Sequence, residues 1–220
     1  MQDFDSSDED YSVCDSAIYR LKSNKYEMNE LLTEGKRNDS FVFTDYTFEF
    51  PDSVHWPNIE ADTSFADHLE EINWSRIRDK FGSENYSMWG GKSVRPEDAI
   101  QGQIGNCWLI SAAMSIAEDE ARLKDIFTID VKNSVGIYAA KMYLLGVPIT
   151  VVIDDYLPLY KDSVRLTMYA EVGDDGALWG TLFEKFYAKY FGNYEIIDAG
   201  QSARGIEVVT GSPFEHNPHQ

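Results

Sequence analysis

The apolar positions of this chain change period along its length. After Asn106, a residue type that caps helix N-termini, Leu109, Ala113, Ile116 and Ala117 form one stripe at helical spacing. Leu178, Leu182, Phe186 and Tyr190 recur every fourth residue and Gly192 follows, which predicts a second helix with its C-terminal stop. Between these stripes, Ile137 to Leu145 and Ile149 to Asp154 are rich in β-branched and aromatic residues, with Gly146 and Pro148 between them, a hairpin pattern. Upstream, Phe41 to Phe50 alternates loosely and meets Pro51, so an edge strand or an extended packed segment is expected. Ile18, Leu21, Met28, Leu31 and Leu32 allow a short helix, with Gly35 to Ser40 as a polar break after it.

At 220 residues and 43% hydrophobic composition, the chain is long enough for one substantial domain with extensions. Asp3, Asp5, Asp8, Glu9 and Asp10 stand among serines with no basic residue before Arg20, so residues 1–40 read as an acidic, partly disordered extension. A globular unit is expected over 41–211, with 212–220 as a terminal tail. The net charge of -19 disfavours nucleic acid and anionic membranes as partners and favours divalent cations and basic proteins. No apolar run approaches the roughly 20 residues of a membrane span. The acidic N-terminus is unlike a secretory signal, so a cytoplasmic (cytosolic or nuclear) protein is expected. Two cysteines, Cys14 and Cys107, form no disulfide framework. Cys14, among acids, reads as an inert thiol.

The informative stretch is Gln101-Gly102-Gln103-Ile104-Gly105-Asn106-Cys107-Trp108-Leu109. A cysteine attacks as thiolate, and the first turn of a helix aims unpaired amides and a positive dipole end at its sulfur. Gly102 and Gly105 would let the backbone approach a substrate carbonyl. The Cys107 amide and the Gln101 side chain could then donate to a developing oxyanion.

A glutamine six residues before Gly-x-Cys-Trp resembles papain-fold peptidases. The closer likeness is to calpains, whose pattern is Gln-Gly-x-x-Gly-Asp-Cys-Trp. Phe48-Glu49-Phe50-Pro51, Val151-Val152-Ile153-Asp154-Asp155-Tyr156-Leu157-Pro158 and the helix from Leu178 to Lys189 resemble further calpain blocks in order. The resemblance implies an α+β, papain-like first lobe with a helical core and a small antiparallel sheet. It makes Cys107 the nucleophile and Gln101 the oxyanion-hole glutamine of a calcium-dependent cysteine endopeptidase acting on protein substrates. Asn106 stands where the family usually has aspartate, keeping a capping side chain but removing a charge.

The resemblance also implies calcium. Asp98 matches one family ligand, the other ligand position falls on Ala177, and Asp174 or Asp175 stands close enough to replace it. Calcium requires several oxygens, so weak binding at most is expected. The family's histidine and asparagine come from a second lobe, whose patterns are absent here, so turnover needs that lobe downstream or in trans. His216 and Asn217 lie in the Pro-bounded tail, and His55 and His68 read as surface or partly packed histidines. Asp154 and Asp155, at a strand end, read as turn caps rather than ligands. Two other readings stay open: a catalytically dead half-core that binds a partner, and an acidic calcium-responsive module.

Overall fold

The computed structural model describes residues 28, 30–38, 40–55, 69–82, 85–91, 93–161 and 167–215. Five strands are present among them: β1 (Ile72–Arg76), β2 (Phe127–Ile129), β3 (Ile137–Leu144), β4 (Val147–Asp154) and β5 (Tyr156–Tyr160). The named helices are α1 (Ile77–Phe81), α2 (Cys107–Ala117), α3 (Glu120–Ile126), α4 (Trp179–Phe191) and α5 (Ser202–Thr210). Strands β2, β3 and β4 form an antiparallel sheet in that order, and β1 pairs antiparallel with β5 as a separate ribbon. The mixture of a helical core with small antiparallel sheets is the α+β lobe expected from the sequence.

The predicted hairpin is β3–β4, with Leu144 opposite Val147 and the two-residue turn Leu145-Gly146 between them. Pro148, which cannot donate to a ladder, is tolerated because β4 is the edge of its sheet. The two-residue period sorts the strand side chains. Tyr138, Ala140, Met142, Val151 and Ile153 enter the main core, whereas Ile137, Ala139 and Val152 enter a smaller cluster. Helices α4 and α5 pack against β4 and β3 respectively. The smaller cluster is covered by Phe43 together with Met28, Leu31, Leu32 and Phe41.

That cover corrects one expectation. Residues 30–37 are helical, so the helix runs through Gly35 instead of breaking there. A Cβ on Gly35 would lie 2.0 Å from Val135 Cγ2, so glycine serves close approach to the neighbouring loop rather than a stop. The segment from Phe41 to Phe50 forms no strand. It is a packed, turning segment whose Phe43, Asp45 and Phe48 are buried and whose Phe43 amide donates to Val135 O at 2.8 Å.

Helix α4 is the axis of the lobe. Trp179, Phe183, Phe186 and Tyr187 are fully buried along it, each contributing about 1.5–3 kcal/mol by leaving water. Its C-terminal stop is Gly192, as the sequence predicts. Two lysines on this helix are buried as well. Lys185 Nζ reaches Asp154 Oδ1 at 2.6 Å, and Lys189 Nζ reaches Asp45 Oδ2 at 2.6 Å. They tie the helix to the end of β4 and to the 41–50 segment, although burial holds the Lys189 pKa below its ordinary value.

Candidate active site

Cys107 is the first residue of α2, and the loop from Gln101 to Asn106 delivers it. Contacts with two distant segments fix that loop. Gln103 N donates to Met168 O at 3.0 Å, and Gly105 N donates to Asp198 Oδ1 at 2.5 Å. A Cβ on Gly102 would sit 1.9 Å from Tyr169 O, and one on Gly105 3.0 Å from Asp198 O. These glycines therefore admit the chain's own backbone at close range. Gln101 Nε2 donates to Ile104 O at 2.8 Å, which orients the amide across the loop. An amide nitrogen has two hydrogens, so a second donor remains.

The side chains of α2 divide by face. Trp108, Leu109, Ile110, Ala112, Ala113, Ile116 and Ala117 are buried, while Cys107 shares an exposed face with Ser111, Met114 and Ser115. Trp108 turns inward, donates its indole N–H to Ile197 O at 3.0 Å and lies against Gly200 and Gly205. The thiol is thus accessible at a helix N-terminus while the next residue locks that terminus into the core.

Asn106 stands at the N-cap position but makes no side-chain cap bond. Its side chain is fully buried, and Nδ2 donates to Glu184 Oε1 at 2.6 Å. Glu184 Oε2 accepts from Ala170 N at 2.8 Å. The exposed helix start can be solvated, whereas a buried carboxylate lacking a donor is costly, so Asn106 serves Glu184 in place of the cap. Burial pushes the Glu184 pKa up to about 7, against the two hydrogen bonds that favour its charged form.

Asp98 and Asp175 do come together, with Arg95 on them. Arg95 Nη2 lies 2.5 Å from Asp98 Oδ1 and 3.6 Å from Asp175 Oδ1, and Arg95 Nε lies 3.3 Å from Asp98 Oδ2. Asp175 Oδ2 accepts from Gly91 N at 2.7 Å. The Arg95 pKa is raised, chiefly by its hydrogen bond to Asp98. Calcium takes 6–8 oxygens at about 2.3–2.6 Å, but these carboxylates face N–H donors, and Ala177 adds no side-chain oxygen. Among the described residues no group of three or more His, Cys, Asp or Glu could hold a metal. The donor set does not fit the ion that the resemblance implies.

Asp154 and Asp155 are also engaged. Asp154 receives Lys185 and caps the turn through Tyr156 N at 3.1 Å, while Asp155 pairs with Arg76 and Arg78. Burial raises the Asp155 pKa, opposed by Arg76 and Arg78. His55 Nδ1 lies 2.9 Å from Glu195 Oε2, a partly packed histidine holding the 51–55 turn to the 195–197 turn. Cys14, His68, His216 and Asn217 lie outside the described residues. Sequence reasoning missed the roles of Arg95, Glu184 and Asp198. The three-residue spacing of Arg95 and Asp98 could have signalled their pairing, but nothing local links Asp198 to Gly105.

The profile of the family described as calpain family cysteine protease matches residues 43–219. Calpain-B of Drosophila melanogaster is 30% identical over 186 residues, 80% of this chain and 19% of that protein. Calpain-2 catalytic subunit of Bos taurus is 35% identical over 154 residues, 69% of this chain and 21% of that protein. Calpain-type cysteine protease ADL1 of Oryza sativa subsp. japonica is 31% identical over 84% of this chain and 8% of that protein. The chain thus spans about a fifth or less of these relatives' length.

Proposed function

Since the chain belongs to the calpain family of cysteine proteases, we propose that it carries the nucleophile and the oxyanion donors of a thiol endopeptidase acting on proteins. The observation that carries this reading is an exposed Cys107 at the first position of α2, preceded by a loop that Gln101 spans. In the proposed reaction the Cys107 thiolate attacks the scissile carbonyl carbon and a C–S bond forms. The carbonyl oxygen becomes an oxyanion that accepts from the Cys107 amide and from Gln101 Nε2. A histidine, ordered by an asparagine, protonates the leaving amine and then activates the water that releases the thioester. These two residues come from a second lobe, in this or another chain, so the 220 residues alone do not turn over. No step runs through calcium. The site thiol is free, which a reducing compartment preserves, and the cytoplasm is the proposed location.

Fluorogenic peptide cleavage tests this. The chain alone should be silent, and adding a second calpain lobe should produce turnover. Cys107→Ala should abolish that turnover, and Gln101→Ala should lower kcat by about 10²–10³-fold. Turnover surviving Cys107→Ala would refute the assignment, and turnover by the chain alone that His216→Ala removes would make His216 the base.

A further inference from the structure

Three segments converge beside the candidate active site. The turn at 87–91, the stretch 95–101 leading to Gln101, and the loop 171–179 leading into α4 are joined by backbone bonds. Leu178 N donates to Ser87 O at 3.0 Å, Trp179 N to Met88 O at 3.1 Å, and Glu171 N to Ile100 O at 2.9 Å. The approach is close enough that a Cβ on Gly173 would lie 2.8 Å from Asp98 Oδ1, and one on Gly180 2.9 Å from Asp98 O. Asp98 is therefore a carboxylate at 1% exposure, wedged between backbones, and a buried charge in that position demands a counter-charge.

The counter-charge is supplied from within the chain. Arg95 is anchored on the short helical turn Pro96–Asp98 and reaches both oxygens of Asp98 with its planar fork. The same Nη2 lies toward Asp175, whose other oxygen is held by the Gly91 amide. One guanidinium thus spans the 95–98 and 171–177 segments, and Asp175 extends the link to the 87–91 turn. The Gly90 carbonyl beside it accepts the Ser87 hydroxyl at 2.8 Å. A divalent ion here would have to displace the guanidinium and turn the Gly91 N–H away.

We propose that Arg95 does within the chain what a bound divalent cation would do at this place: its guanidinium neutralises buried Asp98 and joins it to Asp175, so the segments flanking the nucleophile loop close without calcium. The inference rests on the peptidase reading only where it names that loop as catalytic. Its tests use no turnover, so they stand apart from a failure of the peptidase assignment.

The experiment uses the 220-residue chain, with calorimetric calcium titration and thermal denaturation in Ca²⁺ or Mg²⁺ at matched ionic strength. The wild-type chain should give no saturable calcium heat, and about 5 mM Ca²⁺, far above the range of sensor sites, should shift Tm no more than Mg²⁺ does. Arg95→Gln should lower Tm by about 3–6 °C, and Arg95→Lys, which keeps the charge without the fork, by less. Adding Asp98→Asn to Arg95→Gln should recover at least half of the loss, because the neutral pair needs no cation. That rescue keeps the test decisive even if Arg95→Gln alone does not fold. A saturable calcium site in the wild-type chain that Asp98→Asn removes would overturn the proposal. So would an Arg95→Gln chain as stable as wild type, or a double variant showing no rescue.

Discussion

Asn106 and Glu184 show how one buried pair can redirect a local signal. Glu184 carries a folded pKa of about 7 against an ordinary 4.5, so between those values the folded chain holds a proton the unfolded chain has released. Stability from this residue is therefore greatest at acid pH and falls as pH rises through that window, by about 3 kcal/mol in all. Glu184→Gln removes the slope. Its oxygen can accept from Ala170 N and its nitrogen can donate to Asn106 Oδ1, which lacks a partner now. Denaturation followed at about pH 5 and about pH 8 should show the variant gaining on wild type at the higher pH. An unchanged difference between the two would remove Glu184 from the account. Gly102 is a second residue-scale test. Gly102→Ala drives a methyl into Tyr169 O and should cost about 3 kcal/mol or more in chemical denaturation, since backbone rather than a flexible side chain must yield.

At the scale of elements, the two consecutive helices start differently. Asp119 caps α3 with bonds from Ala121 N at 3.0 Å and Arg122 N at 3.2 Å, whereas α2 has no side-chain cap. Asp119→Ala should therefore lower the denaturation free energy by about 1 kcal/mol. The β3–β4 turn offers the opposite change. Leu145 has φ of 50° at 95% exposure, and Gly146 has φ of 78°, the left-handed pair of a two-residue hairpin turn in which asparagine is preferred at the first position. Leu145→Asn should stabilise the chain by about 0.5–1 kcal/mol, read as a higher denaturation midpoint. A lower midpoint would mean that Leu145 is engaged with something other than solvent.

Across the whole molecule, the buried lysines of α4 decide how the parts are joined. Lys185 is fully buried and donates to Asp154 O, Asp154 Oδ1 and Tyr156 O, the junction between the sheet and the β1–β5 ribbon. Lys185→Met removes the counter-charge of buried Asp154, leaving its carboxylate only the Asp45 and Tyr156 amides, and should cost about 3–5 kcal/mol by equilibrium denaturation, more than either element-scale change. A cost near that of a surface pair would show that the two backbone amides suffice for the Asp154 carboxylate. The sequence by itself determined the elements whose period it carries: helix α2 after Asn106, the β3–β4 hairpin, helix α4 to its Gly192 stop, and the Gln101-to-Cys107 motif. Those signals are local, because the spacing of apolar residues sets which face can be buried. The tertiary structure alone decided that Asn106 turns inward to Glu184, that Gly105 is held by Asp198, that Gly35 continues a helix, and that Asp175 arrives beside Arg95. Each depends on which distant donor, acceptor or backbone arrives beside the residue. Hydrogen bonds and buried charges are satisfied by proximity in space, which residue spacing along the chain does not encode.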